Sequence, residues 1–217
     1  MPILDVQLKA GESMFTESGG MAWKSPNISM HTSTKGGIVK GIKRMFTGES
    51  FFMTTYKCDS GNGAVAFCSE FPGRIIDFNL KAGEHIICQR DAFLAAQEGV
   101  SIDLKTVGVG AGIFGGESFF MQKISGPGKA FLELSGEITE YTLKAGQRLQ
   151  VDTGYIAAFE PAVKYTIERV KGFKNMAFAG EGLFLASLEG PGKVYLQSMP
   201  LKALANKIFT YLPKKEK

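Results

Sequence analysis

Apolar and polar residues alternate with a period of two over most of the chain, which is the pattern of half-buried β-strands. The alternation is clearest ahead of three LKAG motifs, which begin at Leu8, Leu80 and Leu143. In each, the leucine and the apolar residue two positions earlier share one face, while the lysine and an acidic residue four positions earlier share the other. The Ala-Gly pairs suit tight turns between strands. The pattern predicts an all-β body.

The LKAG motif is the first of three markers that recur in one fixed order. The second marker reads FTGESFFM at 46–53, FGGESFFM at 114–121 and FAGEGLFL at 178–185. The third reads GNGAVAF at 61–67, GPGKAFL at 126–132 and GPGKVYL at 190–196. Its Asn62-Gly63 and Pro-Gly pairs predict tight turns with positive φ at the second residue.

These markers predict internal repeats. Successive LKAG motifs are 72 and 63 residues apart. We place the extra residues of the first unit in loops, including 35–44 and 57–60, because connections vary more easily than strands. The chain is therefore expected to be one domain of three repeats with about six short strands each, at 1–72, 73–135 and 136–199.

The C-terminal segment follows a different period. Apolar residues at helical spacing predict an amphipathic helix over 200–212, followed by a basic tail at 213–217; they are Leu201, Leu204, Ala205, Ile208 and Leu212. Such a helix can dock on protein or lie on a membrane surface. Lysine is sparse within the helix itself, at Lys202 and Lys207, so we favour docking on the protein's own body or on a neighbouring subunit.

The three LKAG-type turns, the three glycine–glutamate strand starts and the terminal helix resemble the altered-inheritance-of-mitochondria family. This is a mitochondrial-biogenesis family whose bacterial and archaeal members are uncharacterised, and the resemblance extends over nearly the whole chain. It implies a fold similar to the tryptophan RNA-binding attenuator protein, a short double-stranded β-helix, here present three times around a pseudo-threefold axis. It implies no activity, because one fold serves many functions.

Composition narrows the classes of function. The 217 residues are 44% hydrophobic and 21% charged, with no apolar run long enough to span a bilayer. The net charge of +4 arises in residues 201–217, so the β body is close to neutral. An RNA-binding surface is expected to carry a basic stripe in each repeat. The neutral β body therefore argues against nucleic acid as a partner. RNA binding is kept as an alternative only because of the attenuator-like fold.

The repeats supply one recurrent carboxylate, at Glu49, Glu117 and Glu181. A ring of three carboxylates could bind a cation or act in acid–base chemistry. We favour a structural role instead, with each glutamate bonding turn amides at the start of a strand. A glycine-rich run at 108–116 lacks the G-K-[ST] of a phosphate loop and leads into a strand, which favours an ordinary connection.

The histidines and cysteines are too few and too widely spaced in the sequence to predict a metal site. His31 and His85 are the only histidines, and His85 with Cys88 forms an H-x-x-C that no further cluster completes. Cys58 and Cys68 make the cysteine count odd, without a C-x-x-C pair, so reduced and partly buried thiols are expected. We predict no catalytic residue, no cofactor-binding residue and no metal ligand.

We predict a non-enzymatic β scaffold for self-assembly or protein binding, whose expected partners are further copies of the chain or another protein. The N-terminus lacks a signal or transit pattern, which favours the cytoplasm. Trp23, the single tryptophan, is expected in the core or at an interface. Two alternatives are an RNA-binding module and a hydrolase or metal enzyme whose site is not visible in the sequence.

Overall fold

A computed structural model describes residues 1–17, 19–33, 53–106, 120–169 and 184–212. In these residues the chain is built of antiparallel β-sheets with one α-helix near the C-terminus, which confirms the predicted all-β fold class with a terminal helix. The arrangement around a pseudo-threefold axis and the likeness to the attenuator protein stay predictions.

Eighteen strands are described, six in each third of the chain. The first six are β1 (Ile3–Lys9), β2 (Ser13–Glu17), β3 (Met21–Lys24), β4 (Ile28–Ser33), β5 (Met53–Cys58) and β6 (Asn62–Cys68). The next six are β7 (Gly73–Leu80), β8 (His85–Gln89), β9 (Phe93–Gln97), β10 (Ser101–Thr106), β11 (Phe120–Ser125) and β12 (Gly128–Ser135). The last six are β13 (Ile138–Leu143), β14 (Arg148–Asp152), β15 (Ile156–Phe159), β16 (Lys164–Arg169), β17 (Phe184–Glu189) and β18 (Gly192–Gln197). Short 3₁₀ turns, Arg90–Ala92 and Thr153–Tyr155, precede β9 and β15, and the helix α1 is Leu201–Phe209.

Each set of six strands pairs in the same two triplets. The sixth strand lies between the first and the third, and the fifth lies between the fourth and the second. In the first set, for example, the triplets are β1-β6-β3 and β4-β5-β2. Because the order of pairing is the same in all three sets, a position in one set has an equivalent in the others.

Two junctions join successive sets of strands. The second strand of one set pairs with the third strand of the next, as β2 with β9 and β8 with β15. Phe15 lies opposite Ala96 in the first junction, and Ile87 lies opposite Phe159 in the second. Phe15 and Ile87 each follow the first leucine of their LKAG motif by seven residues, so both junctions use one register. The junctions extend two of the sheets to six strands.

The described residues form two compact units, each with its own apolar core. One unit comprises the described residues within 1–84, 91–102 and 124–133, and the other comprises those within 85–90, 103–123 and 134–217. The core of the first unit is formed by Leu8, Met14, Ile28, Tyr56, Cys58, Val65, Phe67, Leu94 and Ala95. The core of the second unit is formed by Ile87, Met121, Leu143, Val151, Ile156, Phe159, Val163, Ala186, Leu188 and Val194. Alternation along the strands sends these side chains inward.

The residue that follows each LKAG motif caps the motif's turn. Glu12, Glu84 and Gln147 accept hydrogen bonds from the backbone N–H of the motif's lysine at 2.8, 2.8 and 2.9 Å. The preceding glycine has a φ of +88° in the first motif, +85° in the second and +77° in the third. Glycine adopts these angles without steric cost, and the carboxylate or amide oxygen satisfies an otherwise unpaired donor. Each LKAG motif and the residue after it therefore form one structural unit.

The turn before the sixth strand also recurs, with one correction to the sequence analysis. Gly128 and Gly192 have φ values of +135° and +138°, but in the first set the positive φ falls on Gly61, at +62°, and not on Gly63. The connection from β5 to β6 is longer than its equivalents, which moves the turn ahead of the Asn62-Gly63 pair. Of the insertion expected at 57–60, residues 59 and 60 lie in this connection, but 57 and 58 belong to β5. The insertion expected at 35–44 lies outside the described residues.

A polar side chain at the end of the third strand, or one residue after it, accepts a hydrogen bond from this turn in every set. The acceptors are Ser25 Oγ, Gln97 Oε1 and Glu160 Oε2, each 2.9 Å from the N–H of the residue after the equivalent glycine. A hydroxyl, an amide and a carboxylate thus make the same bond. The backbone fixes the position of the acceptor oxygen and leaves its chemical type open.

Candidate interaction surfaces

Several of the features predicted from the sequence lie outside the described residues. They are the recurrent carboxylates Glu49, Glu117 and Glu181, the insertion at 35–44, the glycine-rich run at 108–116 and the basic tail at 213–217. Their roles stay predictions.

The histidines and cysteines lie within the described residues. His31 is exposed on β4, and His85 is partly buried at the start of β8. Cys58 and Cys88 are buried and Cys68 is half-buried, all three as free thiols. Three or more metal-ligating side chains do not come together anywhere in the described ranges.

Two of the acids that share a strand face with an LKAG lysine form ion pairs with lysines of the neighbouring strand. Asp77 Oδ2 lies 3.2 Å from Nζ of Lys129, and Glu140 Oε1 lies 2.7 Å from Nζ of Lys193. Both lysines stand next to the turn glycine on the neighbouring strand. The hydrogen bond and the charge of Glu140 raise the pKa of Lys193 above its usual value. Acidic and basic side chains on this surface therefore alternate across strands.

A buried carboxylate that the sequence analysis missed holds the segment after β6. Glu133 Oε2 accepts hydrogen bonds from Ser69 Oγ at 2.6 Å and from the Glu70 N–H at 2.8 Å. The equivalent residue in the last set is Gln197, whose Oε1 accepts from the Ser135 N–H at 3.2 Å. Each side chain thus binds the backbone that links its own repeat to the previous one. The signal in the sequence was a polar residue five positions after the turn glycine, inside an apolar strand.

Burial raises the pKa of Glu133, and the negative charges of Glu70 and Asp91 raise it further, against the lowering effect of its two hydrogen bonds. A carboxyl whose pKa is higher in the folded than in the unfolded chain stabilises the fold most below its unfolded pKa. That contribution is lost as the pH rises through the folded pKa.

Replacing Glu133 with glutamine is therefore expected to raise the free energy of unfolding at pH 7 by about 1 kcal/mol. Glutamine keeps an acceptor oxygen, as Gln197 shows, and removes the cost of burying a charge. The gain should shrink as the pH is lowered through the acid range. Urea unfolding of wild type and Glu133→Gln at several pH values measures it, with the exposed Asp5→Asn as control. A gain that is equal at every pH would contradict the explanation.

The strand β3 ends its sheet and is more exposed than its equivalents. Among the described residues, no strand pairs with its outer edge, whereas β9 and β15 each pair with a strand of the preceding set. Trp23 on β3 is 51% exposed, while Ala95 and Ala158 in the equivalent position are fully buried. The single tryptophan is therefore not a core residue of this chain.

The strand β14 ends its sheet in the same way. Its equivalents β2 and β8 are largely buried at their junctions, but β14 has three of its five residues partly buried or buried and two exposed. Its inner edge pairs with β17, and Arg148 Nε lies 2.6 Å from Glu189 Oε2 across that pair. The internal junctions pair a second strand with a third strand. One second strand, β14, and one third strand, β3, therefore end their sheets in the described part of the chain.

The helix α1 has the predicted amphipathic pattern but no buried residue. Leu201 and Leu204 are half-buried, and the stripe becomes more exposed toward the end. The large apolar side chains at the end of the helix are 52% exposed at Ile208 and 75% at Phe209, and those just after it are 76% exposed at Tyr211 and 55% at Leu212. Docking of the whole stripe on the chain's own body is therefore not observed. None of the helices in the described ranges has the length and apolar character that membrane crossing requires.

Comparison with known proteins places this fold in a family. An uncharacterized protein of Streptococcus pyogenes serotype M6 is 28% identical over 220 residues, which cover 98% of this chain and 87% of that protein. A crystal structure of a Streptococcus pyogenes protein matches with a TM-score of 0.77 and 27% identity, covering 97% of this chain and 94% of the other. The profile of the family described as mitochondrial biogenesis AIM24 matches residues 1–199. This chain therefore belongs to the mitochondrial biogenesis AIM24 family.

Proposed function

We propose that the protein is a non-enzymatic β scaffold that self-associates or binds a partner protein. The observation that carries this proposal is a group of exposed apolar side chains at the C-terminal end of α1 and just after it, Ile208, Phe209, Tyr211 and Leu212. Four large apolar side chains, close together and exposed, are typical of a surface that another molecule covers. Burying each aliphatic or phenylalanine side chain would contribute about 1.5–3 kcal/mol.

The place of the helix in the chain supports an interaction role. The family match ends at residue 199, so α1 lies beyond the part that the family profile matches. The fold of the β body does not depend on the exposed stripe for its cores, because both are formed by residues before 199. Because α1 does not contribute to either core, its exposed side chains are available to contact a partner.

Charge favours a protein partner over a membrane or RNA. Helices that lie on anionic membranes usually carry lysine or arginine along their polar face. Here only Lys202 and Lys207 lie within α1, and Lys207 Nζ stands 5.6 Å from the ring centre of Tyr211. The acids Asp77 and Glu140 lie beside the surface lysines of the β body, which weakens its attraction for phosphate.

The test compares the full chain with a variant that carries Phe209→Ser and Ile208→Ser. We expect the full chain to form oligomers or to retain a protein partner in pull-downs from its host, and the variant to lose that association while its circular dichroism spectrum is unchanged. Lys202→Ser is the control on the polar face. A monomer that retains no protein would overturn the proposal. Binding to anionic vesicles, or a 260/280 nm absorbance ratio typical of bound RNA, would favour the alternatives.

A further inference from the structure

The sheet β1-β6-β3 has one face that points away from the core of the first unit. Val65 and Phe67 of β6 belong to that core, so Ala66, which lies between them in the strand, is on the opposite face. Directly opposite residues of antiparallel strands share a face. Ala66 has Asp5 opposite it on β1 and Trp23 opposite it on β3. Both flanking side chains are exposed, so this row of three residues belongs to the surface.

Every set of strands places one aromatic residue opposite one alanine in this row. The pairs are Phe131 with Ala95 in the second set, Tyr195 with Ala158 in the third set and Trp23 with Ala66 in the first set. In the second and third sets the aromatic residue is on the sixth strand and the alanine on the third. In the first set the two residue types have exchanged strands. The row therefore keeps an aromatic residue in all three sets.

A lysine on the same face accompanies the aromatic residue in the second and third sets, two positions before it. Lys129 Nζ lies 3.2 Å from Asp77 Oδ2 and 5.9 Å from the centre of the Phe131 ring. In the third set, Lys193 Nζ lies 2.7 Å from Glu140 Oε1. An ammonium group in such a place is attracted both by the carboxylate and by the face of an aromatic ring. Each of these two sets thus fills its own ammonium site.

The first set keeps the acid and the aromatic residue but lacks the lysine. Asp5 is the equivalent of Asp77, because each lies three residues before the leucine of its LKAG motif. Ala64 is the equivalent of Lys129, because the backbone N–H of each donates to the polar acceptor that follows or ends the third strand. Among the described residues, no lysine or arginine forms an ion pair with Asp5.

The nearby lysines of the first set do not replace the missing one. Lys9 shares a strand face with Asp5, but the LKAG lysine is also present in the two sets where another lysine fills the site. Lys24 follows Trp23 in β3, and its Nζ donates a hydrogen bond of 2.7 Å to the carbonyl oxygen of Ile28. In the described part of the chain, the place of the ammonium group is therefore open to another molecule.

We propose that Asp5 and Trp23 bind a primary alkylammonium group of another molecule, in the place that Lys129 fills in the second set. The inference goes beyond the proposed function, because it assigns a class of ligand to a surface that does not include α1. The carboxylate pairs with the ammonium, and the indole attracts it most strongly among aromatic side chains. The small side chain at Ala64 leaves space for the aliphatic stem. A lysine side chain of another protein and a free aliphatic amine both carry this group.

The first test uses the fluorescence of Trp23, the single tryptophan of the chain. The full chain is titrated, at constant ionic strength, with an acetylated and amidated tripeptide that has a central lysine. The same peptide with norleucine is the control without charge, and n-butylammonium chloride represents a free amine. We expect a saturable change in emission with both ammonium compounds and none with norleucine. Tighter binding of the peptide would identify a protein side chain as the ligand, and equal binding would identify a free amine. The absence of a saturable change would overturn the proposal.

The second test uses variants of the site. Asp5→Asn is expected to weaken binding several-fold, because the carboxylate is lost. Ala64→Lys supplies the lysine that the other sets have, so we expect it to abolish the response to added ammonium and to change the emission of Trp23 as the saturating peptide does. Ser101→Lys is the control, because it adds the same charge at an exposed position of a different sheet.

Circular dichroism checks that each variant is folded, and Asp5→Asn decides the matter alone if Ala64→Lys does not fold. Binding that is unchanged in Asp5→Asn, or that persists in folded Ala64→Lys, would overturn the ammonium site. The proposed function would then still stand, because its test changes residues of α1 and measures association with protein.

Discussion

Replacement of Phe67 by alanine is expected to lower the free energy of unfolding by about 3–5 kcal/mol, the usual cost of removing a buried phenylalanine side chain. Phe67 is fully buried in the core of the first unit. Its ring meets that of Tyr56 edge to face, with centroids 5.6 Å apart and an angle of 77°. The strand that carries it, β6, is paired on both sides, so the backbone cannot readily collapse into the cavity.

The matched control for this substitution is Phe209→Ala. The same atoms are removed at a side chain that is 75% exposed on α1, and the expected change in unfolding free energy of the isolated copy is below about 0.5 kcal/mol. Urea unfolding followed by circular dichroism measures both variants. Comparable losses at the two positions would show that the core of the first unit is not where the structure places it.

Replacement of Gly190 by alanine is expected to cost about 3 kcal/mol, because a Cβ at this position meets backbone that cannot move aside. The added atom would lie 2.5 Å from the carbonyl oxygen of Lys144 and 2.7 Å from the carbonyl oxygen of Leu143. The Gly190 N–H also donates a hydrogen bond of 3.0 Å to the Gln147 carbonyl, which holds the chain in this close approach. Relief of the clash would break that bond.

The control for Gly190 is Gly146→Ala. Gly146 has a φ of +77° but nothing within 4 Å of the added Cβ, so the expected cost is only the backbone strain of about 1 kcal/mol. The midpoints of urea unfolding should therefore separate the two variants clearly. A smaller loss for Gly190→Ala than for Gly146→Ala would contradict the close approach. The first set avoids the clash differently, with Cys58 in the equivalent place and a longer connection.

Much of the β framework could be predicted because its signals are local. The period of two before Leu8, Leu80 and Leu143 gave the strands, and the glycines of the LKAG motifs gave the turns. The predicted turn at Asn62-Gly63 was misplaced because the longer loop shifts the positive φ to Gly61. The length of the connection, and not the presence of an Asn-Gly pair, sets which glycine has the positive φ. The helix was predicted from the helical spacing of its apolar residues. The observed helix, Leu201–Phe209, ends before the apolar stripe does.

The interaction surfaces could be predicted only in part, because they depend on pairing between distant segments. An alternating strand has the same pattern whether its edge is paired or open, so nothing in MAWK separates β3 from the buried β9 and β15. Trp23 was expected in a core or at an interface, and only the sheet order showed that it lies on an open edge. Likewise, a glutamate in an apolar strand does not reveal that Glu133 meets the backbone of Glu70.

The hydrogen bond made by Ser25, Gln97 and Glu160 has a consequence for how the surface of this protein can diverge. All three satisfy one turn N–H at 2.9 Å, although one side chain is a hydroxyl, one an amide and one an acid. Selection for a folded turn therefore acts on the presence of an oxygen and is indifferent to its charge. Mutation can change the electrostatic potential at each of the three turns independently, so duplicated repeats can acquire different binding preferences without loss of the shared scaffold.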